Sequence, residues 1–149
     1  MESNFLVRQY EATGRLAVNH NYLTEQFGDY EEIFHKIAVL IEQGDYTLGT
    51  AVNDFETRFA EISGVRFALG VGSGTDALFL SLKAVGVGPG DEVITTPYTF
   101  FATIGAIVTA GATPVFVDVK DDYNIDPAWI ADAITHRTKA ILPVHWSGY

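Results

Sequence analysis

The stretch ALGVGSGTDALFLSL, Ala68 to Leu82, places glycines at 70, 72 and 74 and then runs without a break into an apolar segment. Glycine at that density destabilises the interior of a helix or a strand, so these residues read as a turn. Ahead of it, VRFALGV has the apolar density of a buried strand, and behind it Thr75 to Val85 carries the spacing of a helix. The unit is strand, turn, helix, and the rest of the chain repeats it. EVIT (Glu92–Thr95) predicts a strand, TFFATIGAIVTAG a helix, PVFVDV a strand, PAWIADAI a helix and KAILPV a strand. Strands apolar at nearly every position are buried on both faces, and helical connections of this length join parallel strands. The stop signals agree. Gly86 and Gly88-Pro89-Gly90 end one helix, Gly111 ends the next, and Asp126-Pro127 opens the last with a cap and a proline. The pattern predicts an α/β fold, a three-layer sandwich around a mainly parallel sheet.

Two helices precede the first strand. Asp29 and Glu32 stand ahead of Ile33, Phe34, Ile37, Ala38 and Ile41 as an N-cap and first-turn acid, and Gly44 closes that helix. A second starts near Thr50, where Val52, Phe55, Phe59 and Ile62 recur at helical steps before Gly64. Residues 1–28 are the least patterned and read as an amino-terminal extended segment, leaving 29–149 as one domain. With 48% hydrophobic and 19% charged residues, the chain can bury one sizeable core. Nine Lys and Arg, scattered among nineteen Asp and Glu, give a net charge of −10, which argues against nucleic acid as a partner. There is no cysteine, hence neither a disulfide nor a thiolate metal site, and nothing suggests another metal site. The opening MESNFLVRQYEATG lacks the basic and apolar regions of a secretory signal, and no apolar run approaches the length of a membrane span. The expectation is a cytoplasmic protein with no membrane partner.

Ligands of parallel α/β sheets sit beyond the carboxyl ends of the strands, which is where the glycine turn falls. The first amides of a helix have no intrahelical partner and the positive end of its dipole, so Ser73, Gly74 and Thr75 together suit a phosphate. The alternative is that Ser73 or Thr75 only caps the helix while the glycines permit a tight turn. A dinucleotide fingerprint is excluded because Thr75 stands where G-x-G-x-x-G needs its last glycine, and no Gly-Lys-Ser/Thr follows to make a P-loop. TTPYTFFAT, Thr95 to Thr103, lies at the next strand end and gathers three aromatics after Pro97. Such a cluster serves either as packing or as a ligand contact; an anion cradle beside a flat face suits a phosphorylated aromatic ring.

GVGSGTDAL, VGPGDEVITTPYTFFAT, AGATPVFVDV, YNIDP and TKAILPVHWSGY, in that order, resemble the DegT/DnrJ/StrS family of pyridoxal-phosphate-dependent sugar aminotransferases from about Ile33 to Tyr149. The resemblance implies part of the large domain of the fold-type-I aminotransferase architecture. It also implies that Gly74 and Thr75 bind the phosphate of pyridoxal 5'-phosphate with Ser73 beside them, and that Phe100 lies over the pyridine ring. GDYTLG is similar to the family's segment that contacts the sugar, which makes Tyr46 and Thr47 substrate-binding candidates against ordinary loop packing. The implied partners are a nucleotide-linked keto-sugar, an amino donor such as glutamate, and a second subunit in a homodimer.

The chain departs from the family where the reaction is performed. A Schiff-base lysine is required, yet Lys36, Lys83, Lys120 and Lys139 all fall outside the family's lysine motif. Asp118 precedes the position of the acid that pairs with the pyridine nitrogen and reads as a strand-end cap, and His145 reads as a structural histidine bonded to backbone. No catalytic residue is assigned. The sequence reads as the amino-terminal part of an aminotransferase, inactive and poorly stable alone. The alternatives are a non-catalytic regulatory or binding protein of the same family and a pyridoxal-phosphate-dependent sugar dehydratase; a nicotinamide oxidoreductase lacks the glycine spacing.

Overall fold

The structure, a computed structural model, describes residues 23–148. The chain divides into two compact units, Met1–Arg58 and Phe59–Tyr149. In the first, α1 (Leu23–Gln26) leads to α2 (Tyr30–Gln43), and α3 (Thr50–Ser63) begins in this unit and ends in the next. Of the expected extended segment, residues 1–22 lie outside the described residues, and Leu23–Gln26 is helical. Asp29 caps α2 through its backbone rather than its side chain, and Gly44 ends the helix in the left-handed conformation. The apolar stripe of α2 is present, but no residue of the helix is buried.

In the second unit α4 (Gly74–Ala84), β1 (Glu92–Thr95), α5 (Phe101–Thr109), β2 (Thr113–Phe116), α6 (Pro127–Ala133) and β3 (Thr138–Leu142) follow in turn, with a 3₁₀ turn at Trp146–Gly148. The three strands are parallel in the order β2-β1-β3. The central strand is buried at every position, whereas the two edge strands are partly exposed, because only β1 is covered on both sides as well as both faces. Alternation along β1 separates two cores. Val93 joins Leu82, Ala106 and Ile107 of α4 and α5, while Ile94 joins Val117 and Ile125, with Ile130 and Ala133 of α6 packed against them. Helices, sheet and helix make the expected three layers. Connections leave β1 and β2 in opposite directions across the sheet, and their helices accordingly lie on opposite faces.

One expected strand is absent. Val65–Val71 runs as irregular chain, with Phe67 and Leu69 about four-fifths exposed. A strand exists only where a neighbouring strand completes its backbone hydrogen bonds, and none of the three strands of the sheet pairs with this stretch. The expected stops hold, however. Gly64, Gly86, Gly90 and Gly111 all take positive φ, and Asp126 Oδ1 accepts from the Ala128 amide ahead of Pro127.

Candidate functional site

The order β2-β1-β3 brings the carboxyl ends of β1 and β3 side by side, and beyond them lies a cavity of about 390 Å³. Gly74, Thr75 and Leu78 of α4 line it; the loop after β1 contributes Thr99 and Phe100, α5 contributes Thr103, and the segment after β3 contributes Val144 and Trp146. The glycine turn is thus a wall of the site even though no strand leads into it.

Ser73 is extended and caps α4, its Oγ accepting from the Asp76 amide at 3.1 Å. That settles its local structural role, while its hydroxyl proton still has a donor's freedom. The Gly74 and Thr75 amides precede the first intrahelical bonds and have no acceptor among the described residues; Thr75 Oγ1 likewise makes no hydrogen bond there. Gly74 needs no positive φ, and a Cβ built on it meets nothing within 4 Å. Neither backbone strain nor packing explains glycine at 74. Asp76, the first-turn acid, turns its carboxylate over Gly72 and is not part of the cavity wall.

Phe100 opens α5 in an extended conformation, about two-thirds exposed, and its ring meets that of Phe101 at 4.6 Å and 56°. It stands on the same cavity as Gly74 and Thr75. Thr99 and Thr103, one helical turn apart, join hydroxyls at 2.8 Å on the cavity wall. Sequence reasoning missed this pair, together with Trp146. The signals were the T-x-x-x-T spacing within TFFAT and an aromatic directly after a strand's carboxyl end.

Tyr46 and Thr47 belong to the other compact unit and are not cavity-lining residues; the Tyr46 hydroxyl donates to the Ile41 carbonyl at 3.0 Å. None of the four lysines lines the cavity. Lys36 pairs with Glu32, Lys120 with Asp122, and Lys83 Nζ donates to the Val87 carbonyl. Asp118 Oδ1 accepts from the Val119 amide, the capping role expected of it. His145 is exposed beyond the end of β3, and its side chain makes no hydrogen bond among the described residues, contrary to the expectation of a backbone-bonded histidine.

Comparison with known proteins gives the same outline. Residues 28–149 match the model of the DegT/DnrJ/EryC1/StrS aminotransferase family. Over 119 residues the chain is 48% identical to UDP-N-acetyl-3-dehydro-alpha-D-glucosamine 3-aminotransferase of Acidithiobacillus ferrooxidans, which covers 79% of this chain and 32% of that protein. It is 46% identical over 128 residues to a pleiotropic regulatory protein of Geobacillus stearothermophilus, covering 85% of this chain and 34% of the relative. Among solved structures, S. venezuelae DesV in complex with a ketimine intermediate superposes with a TM-score of 0.80 at 41% identity, over 85% of this chain and 34% of DesV. The PLP form of the sugar aminotransferase Spr1654 of Streptococcus pneumoniae superposes at 0.75 with 34% identity, over 77% of this chain and 30% of that one. The chain spans about a third of the length of these relatives.

Proposed function

Because this chain belongs to the DegT/DnrJ/EryC1/StrS aminotransferase family, we propose that it is the amino-terminal part of a pyridoxal-phosphate-dependent enzyme that moves an amino group, from a donor such as glutamate, onto a nucleotide-linked keto-sugar. The observation that carries this reading is the helix end at Gly74 and Thr75, whose amides have no acceptor among the described residues, with an open cavity before it.

The residues fit the cofactor. The Gly74 and Thr75 amides and the Thr75 hydroxyl would hold the cofactor's phosphomonoester at the positive end of α4, where a Cβ at 74 meets nothing within 4 Å. The Ser73 hydroxyl, already accepting from Asp76, donates its proton to the same group. Phe100, on the same cavity, would offer its ring to one face of the pyridine. Bound there, the cofactor supplies an electron-withdrawing ring that carries the amino group between donor and sugar. Tyr46 and Thr47 are the proposed sugar contacts. The four lysines take other places, so the base that moves protons at the reacting carbon comes from elsewhere in the enzyme, whose working form is a homodimer.

A second reading, a non-catalytic binding or regulatory protein, is favoured by two observations: no lysine lines the cavity, and one close relative carries a regulator's name. Both readings place the cofactor phosphate at Gly74.

Equilibrium dialysis tests that shared element. Pyridoxal phosphate is expected to bind, with pyridoxal, which lacks the phosphate, binding at least about tenfold more weakly. Equal affinity for the two would overturn the phosphate assignment. Borohydride treatment is expected to fix no adduct on a lysine; a fixed adduct with turnover of a keto-sugar would show that one of the four lysines does react.

A further inference from the structure

We propose that Tyr123 is a positioning residue for this cavity: its ring braces Tyr98, and Tyr98 in turn holds Trp146 in place as a cavity wall. The proposal rests on the cofactor reading above for its consequence, but not for its geometry.

Tyr123 has φ +65°, one of two non-glycine residues with positive φ among those described. A bulky side chain is unfavourable in that region, where glycine is at ease. The turn around it enforces the conformation. The Tyr123 amide donates to the Lys120 carbonyl at 2.9 Å, the Lys120 amide to the Asn124 carbonyl at 2.9 Å, and the Asn124 amide to Asp122 Oδ1 at 3.0 Å. Lys120 and Asp122 also pair at 3.1 Å. Turn geometry alone would therefore be met better by glycine. The ring does not fill a core either, since Tyr123 is about half exposed.

Its contact explains it. The Tyr123 ring stacks on Tyr98 at 5.3 Å and 29°, and Tyr98 meets Trp146 at 4.6 Å and 52°. Tyr98 follows β1 and Trp146 follows β3, so the row of rings ties together the loops at two adjoining strand ends. Trp146 lines the same cavity as Gly74 and Thr75 of α4. A tyrosine kept in a conformation suited to glycine, at the outer end of a stack whose inner end walls the site, has the form of a brace.

The chain holds two tryptophans, so Trp129→Phe leaves Trp146 as the only indole reporter. In that background, Tyr123→Gly relieves the backbone and removes the ring. The expected results are an unchanged or higher melting temperature, stronger acrylamide quenching of Trp146 without ligand, and pyridoxal phosphate affinity lower by roughly two- to tenfold. Tyr123→Phe should retain the parent values, because the ring and not its hydroxyl makes the contact. Tyr98→Leu should reproduce the Gly phenotype, and adding Tyr123→Gly to it should change quenching no further. Unchanged quenching in Tyr123→Gly overturns the brace. Equal loss in Tyr123→Phe and Tyr123→Gly also overturns it, in favour of the hydroxyl. Altered quenching in a protein whose parent binds no pyridoxal phosphate upholds the brace and refutes the cofactor reading instead.

Discussion

At the amino end of β1 the buried Glu92 carboxylate accepts from Thr135 Oγ1 and Arg137 Nη2, each at 2.5 Å, while its amide donates to the Arg137 carbonyl. Beyond the carboxyl end of the same strand, the helix amides of Gly74 and Thr75 and the Thr75 hydroxyl have no acceptor among the described residues, and the Phe100 ring stands two-thirds exposed. Burial demands that polar groups be paired, so one end has used its hydrogen-bonding capacity on the fold. The other leaves that capacity unused among the described residues, as the proposed phosphate site requires. A strand end with every group satisfied is structural, and an end that leaves donors converging on a cavity is where a ligand belongs.

Gly74→Glu breaks this contrast most severely. It sets a carboxylate at the proposed phosphate site, and pyridoxal phosphate affinity measured by dialysis should fall by about 10- to 100-fold. The melting temperature should hold, because the added side chain leaves the backbone unstrained and its Cβ meets nothing within 4 Å. A large loss of stability would place Gly74 among packing glycines.

Ser73→Ala asks which side of the contrast the cap belongs to. Loss of the bond from the Asp76 amide should cost about 1 kcal/mol in denaturant unfolding. The loss of affinity should be smaller than for Gly74→Glu, since only one of several donors to the anion is removed.

The smallest effect at neutral pH is expected from Glu92→Gln, which keeps an acceptor for Thr135. The Thr135 hydroxyl, and then Arg137 by hydrogen bond and charge, hold the Glu92 carboxyl below its ordinary value of 4.5 against the opposing effect of burial. The sign follows from proton binding. As pH falls, the unfolded chain with its ordinary carboxyl takes up the proton first, so Glu92 contributes stability above the unfolded value and loses it as pH drops through the lower folded value. Unfolding midpoints followed from about pH 7 to about pH 3 should therefore fall less steeply in Glu92→Gln than in the parent. Equal slopes would mean the amino-end cluster contributes nothing through its charge.

Much of the second unit was legible because local signals and burial agree there. EVIT is a strand at the residues expected, and Asp126-Pro127 begins a helix and Gly111 ends one as their chemistry requires. VRFALGV was misread for a physical reason: apolar density marks a segment able to become a strand, while pairing depends on what lies beside it. The candidate site was half legible. Glycine and hydroxyl spacing pointed to residues 73–75, and TFFAT to Phe100, but Trp146, Thr99 and Thr103 carried signals that only a common cavity makes meaningful.

By itself the sequence determined the alternation of helix and strand from Gly74 onward, the positions of the turns and the family, because periodicity, caps and glycine act within a few residues of one another. Tertiary structure alone decided that β1 lies between β2 and β3, that the loops after β1 and β3 therefore meet at one cavity, and that a tyrosine at a strained turn reaches that cavity through two further rings. Those relations join residues far apart in the chain, and strand order, which is set by which apolar faces bury each other, is not written in any local pattern.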